Sequence, residues 1–287
     1  MAANRPNVTL GTELHTTLLY FPNVTTKSHV IFNERLHRLL LKMKKLFLLA
    51  ALFSTSVFFT SCDKDNDPED GTVTLRVNFK AQGNDIGLNE SFAYNGADHQ
   101  VSKIKMYLSN VTLVCDCGAR RNLSDVVLVD SENEVYTFDF EVPQGNYTAL
   151  EMSLGLPEDV NASDPAMFDA EHPLSAVQNM YWTWASKYRF LIYEGRVDST
   201  QSDNFDHLLV YHTGTDTLYR ELESIPLNLD VSGEGQYTID VNFDLQNVLY
   251  RASDPINVFV DDATHTMDDM ELARRITDNA AASFSVE

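Results

Sequence analysis

TVTLRVNFK, residues 72–80, alternates polar and apolar side chains and puts Val73, Leu75, Val77 and Phe79 on one face. A period of two marks a strand that is buried on one side only. The same signature recurs along the chain. Residues 104–114 carry Ile104, Met106 and Leu108, then Val111 and Leu113, so the phase changes near Ser109-Asn110 and predicts a β-bulge there. Further strands are expected at 126–129, 135–142, 147–154, 188–194, 208–212, 217–229 and 236–243. Turn chemistry separates several of them, as in Pro143-Gln144-Gly145-Asn146 and Ser232-Gly233-Glu234-Gly235. Many short strands with little helix between them favour an all-β fold, an antiparallel β-sandwich.

Two stretches break the rhythm. Residues 157–179 are polar, rich in Asp, Ala and Pro, and have no strand period, which predicts a long irregular loop. Met270, Ala273, Ile276, Ala280 and Phe284 stand at helical spacing and predict a short C-terminal helix within 267–284. A second short helical turn is expected within 243–251.

The 287 residues include 42 acidic and 21 basic side chains, for a net charge of -21. That surface has no cationic field with which to displace counterions from a phosphate backbone, so nucleic acid is excluded as a partner. A 44% hydrophobic content excludes a disordered chain, and three cysteines are too few for a disulfide-stapled scaffold. There is no Gly-x-Ser-x-Gly elbow, no His-Glu-x-x-His and no phosphate loop, so catalysis is not expected.

The N-terminal part reads as targeting rather than fold. Lys42, Lys44 and Lys45 flank Met43, an apolar run follows from Leu46 to Phe59, and the run exits through Thr60-Ser61-Cys62. A basic start, an apolar stretch too short to span a membrane and a small-residue exit make a signal peptide. The cysteine after a small residue resembles a lipobox, which implies cleavage before Cys62 and a lipid anchor on it. Residues 1–42 are expected to be a mis-called extension, 43–61 the lipoprotein signal peptide, 62–71 an acidic tether and 72–287 the β domain. The tether, DKDNDPEDG from Asp63, resembles the surface-export signals of Bacteroidetes-type lipoproteins and places the protein at the outer membrane or cell surface. It is not an EF-hand, because Pro68 and Thr74 fall where Gly and Glu are required.

The segment NMYWTWASKYRFLIYEG, residues 179–195, holds both tryptophans, Trp182 and Trp184, two apart. In extended backbone they share a face. From the residues alone, such a pair reads first as an aromatic core stripe of a β-sandwich. With three other segments it forms an ordered set: KIKMYLSNVTL (103–113), VPQGNYTALEMSLGL (142–156), MYWTWASKYRFLIYEG (180–195) and VYHTG (210–214). The set resembles the MbnP-like domain family, secreted or lipid-anchored β proteins named for a periplasmic protein associated with the copper chelator methanobactin. The resemblance implies copper binding outside the cytoplasm, with one tryptophan oxidised to kynurenine by a dihaem peroxidase-like partner and with histidine nitrogens as companion ligands. Imidazole suits copper. An intact indole offers an N–H and no lone pair, whereas the opened ring offers an aromatic amine.

On this reading the metal-site candidates are His212, Trp182 and Trp184, with His172 and His207 as further histidines. Either tryptophan qualifies for modification. His207 and His212 are five apart, so alternation sends them to opposite faces of a strand. Cys115 and Cys117 are a second candidate, either as a soft-metal pair or as a disulfide. The rival reading is a non-metal surface module whose tryptophans stack on a glycan or fill a pocket on a partner protein. The two readings part on whether an indole faces a histidine.

Overall fold

The structure is a computed structural model and describes residues 70–182 and 187–287. Strands β1 (Gly71–Ala81), β2 (Asn84–Asp85) and β3 (Ser91–Tyr94) lead into a 19-residue strand, β4 (Ala97–Cys115). Then come β5 (Arg120–Asp130), β6 (Thr137–Val142), β7 (Gly145–Leu154), a helical turn α1 (Glu158–Asn161), β8 (Tyr181–Trp182), β9 (Lys187–Asp198) and β10 (His207–Gly214). They are followed by β11 (Arg220–Glu221), β12 (Ile225–Val231), β13 (Gln236–Asp244), α2 (Leu245–Tyr250), β14 (Ala263–Thr264), α3 (Met270–Ala281) and β15 (Phe284–Val286).

The smaller sheet runs β15-β13-β1-β2, with β6 also on β1. The larger sheet is organised around β4. One edge of β4 is lined first by β9 and then by β7, and the other edge by β3 and then by β5. β10 adds to the far side of β9, and β14 to β10. Two pairings depart from the antiparallel expectation: β1 lies parallel to β13, and β10 parallel to β14. Alternation reports which face of a strand is buried but not its direction, and the connections between these partners are long enough for crossovers.

The predicted bulge is present. Asn110 adopts φ 54°, and the β4–β7 register slips between Ser109 and Thr112. The slip keeps both Leu108 and Leu113 buried in one core, against Val73, Leu75 and Val241 of the smaller sheet. The strand expected over 217–229 is broken into β11 and β12. Pro226 has no N–H for the ladder, and the β12–β7 register slips just after it. Helix α3 starts later than predicted because Asp269 caps it, its side chain accepting from the N–H of Leu272. It ends at Ala281, where the chain turns to form the unpredicted strand β15 on β13.

The long excursion after β7 covers the outer face of the larger sheet. Leu156, Leu174 and Met180 close over Tyr107, Tyr188, Phe190 and Ile192 in a second apolar cluster. Tyr107 and Tyr188 meet edge to face at 5.9 Å, an arrangement that contributes about 1 kcal/mol beyond burial. Their hydroxyls donate to the carbonyls of Pro173 and Leu174, which pins the excursion to the sheet. Gly155 begins the excursion at φ 96°, and a Cβ there would lie 2.3 Å from Phe190 Cδ2, so only glycine fits. At its far end Met180 delivers the chain into the β8–β9 hairpin, on the same outer face.

Candidate metal centre

Three chain segments converge on the outer face of the larger sheet. The β8–β9 hairpin brings Trp182, β10 brings His212, and the residues after β14 bring His265. The last placement follows from register. β14 pairs Ala263 with Val210 and Thr264 with Tyr211, so the next step sets His265 beside His212. The two imidazoles stand 5.1 Å apart at 90°, and the Trp182 ring lies 5.5 Å from His212 and 5.7 Å from His265. With metal–nitrogen bonds of about 2.0 Å, two imidazoles sharing a tetrahedral ion place their centroids roughly 5 Å apart. The Arg189 guanidinium sits 4.7 Å over the Trp182 ring, a cation–π contact of about 1 kcal/mol.

The protonation pattern suits a ligand pair. His212 Nε2 is 2.8 Å from Glu194 Oε1. An ionised carboxylate only accepts, so that nitrogen carries the proton and Nδ1 carries the lone pair. Nδ1 is buried and has no hydrogen-bond partner among the described residues. Burial holds the His212 pKa below its ordinary value, outweighing the pull of Glu194, and Arg189 and His265 add to the lowering. The ring is therefore neutral at neutral pH. His265 is held by Asp268 in the same manner: the backbone N–H donates to Oδ1 at 2.7 Å and Nδ1–H to Oδ2 at 3.1 Å, which leaves Nε2 as the lone-pair nitrogen. Hydrogen bonds from His265, Thr264 and the Asp269 N–H outweigh burial and hold the Asp268 carboxyl at about 2. A histidine whose second nitrogen is fixed by a carboxylate is the usual outer shell of a metal-binding imidazole.

The structure brings together two of the residues expected from sequence, His212 and Trp182, and adds His265, Glu194, Asp268 and Arg189. Trp184 and Cys62 lie outside the described residues, as do residues 1–69, which include the signal-peptide and extension segments. His172 is elsewhere: it stacks on Phe168 at 4.3 Å, and its Nδ1 accepts from the N–H of Leu174. It stays with the excursion because that segment folds on its own apolar cluster. His207 bonds the Val258 carbonyl at 2.8 Å and meets the Phe259 ring at a tilt, 5.2 Å between centroids, on the side of β10 opposite His212, as alternation requires. Cys115 and Cys117 form a disulfide, so neither offers a thiolate. Among the described residues, Cys115-Asp116-Cys117 is the one group that gathers three acidic, thiol or imidazole donors within 4.8 Å. The histidine pair therefore offers two nitrogens.

His265 was not among the histidines singled out from sequence. Its local signal is slight, a carboxylate three residues on in His265-Thr266-Met267-Asp268. Only the parallel pairing of β14 makes it a neighbour of His212.

The family model MbnP matches residues 70–268. Among solved structures, the chain is similar to MbnP from Methylosinus trichosporium at 19% identity, over 64% of this chain and 78% of that one, with a TM-score of 0.43. No curated protein is similar enough to count as a relative.

Proposed function

The chain belongs to the MbnP family, and on that premise we propose that it binds copper at His212 and His265, with the Trp182 hairpin completing the site. The observation that carries this reading is the lone pair of His212 Nδ1, buried and without a partner, on a ring 5.1 Å from a second imidazole whose other nitrogen is also held by a carboxylate. A buried polar atom left unpaired costs about 1–3 kcal/mol, and a metal ion removes that cost. Neutral imidazoles suit copper, which outcompetes the other divalent first-row ions at nitrogen sites.

Trp182 is the tryptophan whose ring stands against both histidines. If its ring is opened to kynurenine, the aromatic amine becomes the third donor, and a dihaem peroxidase-like protein is the proposed partner for that oxidation. The protein holds the metal for acquisition or handling and does not itself catalyse a reaction. It is anchored through lipidated Cys62 at the outer membrane or cell surface. The glycan- or protein-binding reading loses ground, since the half-buried Trp182 ring is engaged by two imidazoles and a guanidinium.

Intact mass and metal analysis of the purified mature protein test this. One copper per chain is expected in the wild type, with loss of binding in both His212→Ala and His265→Ala. Mass should also report the lipid and any ring oxidation. A wild-type protein that takes up no copper, or variants that keep it, would overturn the reading.

A further inference from the structure

We propose that Thr266 is a positioning residue that fixes the spacing of His212 and His265 before any metal arrives; the inference rests on the two-histidine centre above. Thr266 adopts φ 69°, in the left-handed region that a β-branched residue avoids. It is fully buried. Around it the chain makes a three-residue turn, closed by the Met267 N–H donating to the His265 carbonyl at 2.8 Å. Glycine or asparagine would relax this backbone, but glycine has no side chain and asparagine no hydroxyl. The hydroxyl is what the position uses: Thr266 Oγ1 donates to the His212 carbonyl at 2.9 Å.

That bond has a specific place in the fold. The parallel ladder between β14 and β10 stops at Thr264. Beyond it, among the described residues, the hydrogen bond from the His265 turn back to β10 is the one made by Thr266 Oγ1. The other end of the turn is fixed from within. The Thr266 N–H donates to Thr264 Oγ1 at 3.2 Å, and that hydroxyl lies 3.1 Å from Asp268 Oδ1, the oxygen that accepts the His265 N–H. One hydroxyl therefore ties the main chain of the first ligand to the turn that carries the second. Strain of this kind persists only where the surroundings over-determine it, and it collects at functional sites. Its effect here is pre-organisation: the imidazoles already stand at a shared-ion separation.

The test compares Thr266→Ser, which keeps the hydroxyl, with Thr266→Val, which keeps the shape and loses it. Two readouts are taken. In the metal-free protein, NMR measures the NOE between the ring protons of His212 and His265. In the copper-loaded protein, a competing chelator measures affinity. Thr266→Ser should keep the NOE and wild-type affinity. Thr266→Val should lose the NOE and bind copper at least about tenfold more weakly, the usual effect of removing an outer-shell support. A Thr266→Val protein that keeps the NOE and binds within twofold of wild type would overturn the proposal. If Thr266→Val does not fold, Thr266→Ala is read by the same pair of measurements. Failure of the wild type to take copper would sink the copper reading instead, and the NOE comparison, which needs no metal, would still decide the role of Thr266.

Discussion

Glu194→Gln changes one oxygen to an amide group and isolates what the carboxylate does for His212. The carboxylate is 2.8 Å from Nε2, with the imidazole nine-tenths buried and the Glu194 side chain about a third exposed. A hydrogen bond to a charged partner contributes about 1.5–3 kcal/mol, against about 0.5–1.5 for a neutral one, so the substitution removes roughly 1 kcal/mol from that bond alone. The amide also presents a donor. If its NH2 turns toward Nε2, the imidazole proton moves to Nδ1, the buried atom with no partner, at a cost of about 1–3 kcal/mol. Either outcome weakens the lone pair that meets the metal. At about 1 kcal/mol for the first and about 1–3 kcal/mol for the second, the loss is about 5–150-fold in copper affinity. The assay is chelator competition at pH 7.5, where His212, with its lowered pKa, is neutral in both proteins. Proton competition then contributes nothing to the difference. Nitrogen-15 shifts of the metal-free variant report which ring nitrogen carries the proton. Affinity within twofold of wild type, with the proton still on Nε2, would refute the role assigned to Glu194.

Three further outcomes are expected. Burial lowers the pKa of both His212 and His99, against the raising effect of Glu194 on the first and of the Tyr94 carbonyl on the second. The unfolded chain therefore binds protons first as pH falls below about 6.5, and stability should drop there by up to about 1.4 kcal/mol per pH unit for each histidine, until the folded pKa is passed. Thermal melts from pH 7.5 to 5 check this, and a flat profile would contradict it. Gly155→Ala forces a Cβ to 2.3 Å from Phe190 at positive φ and should destabilise by about 2–4 kcal/mol in urea unfolding; a change under 1 kcal/mol would mean that Phe190 is free to move. Cys115→Ser with Cys117→Ser should leave copper stoichiometry and affinity unchanged. Lys105 shares the Ile192 row with His212, and Cys115 lies ten residues further along β4, about 33 Å by strand rise. Loss of copper in that variant would move the centre to the hairpin tip.

The two halves of the centre differ in how far sequence reveals them, and the reason is physical. Alternation is a local property: it placed Val73, Leu75, Val77 and Phe79 in the core, put the bulge at Asn110 and separated His207 from His212, because each depends only on residues a few positions away. The same periodicity is blind to strand direction and to which strands meet. His265 lies 53 residues beyond His212, just after a two-residue strand, β14, that is too short to show any period, and it becomes a neighbour only through a parallel pairing. Its partners follow the same rule. Glu194 reaches His212 across the β9–β10 ladder, two positions from the directly paired Ile192, and Arg189 reaches Trp182 across the hairpin. A strained threonine is legible still later. Nothing in the letters THTMD at 264–268 sets Thr266 apart, since its φ is imposed by a turn that exists only once β14, the α3 cap and β10 are all in place. A centre assembled in this way ties metal affinity to the integrity of three separate segments. Loosening the β14 turn should therefore weaken copper binding even where His212, Glu194 and Trp182 are untouched.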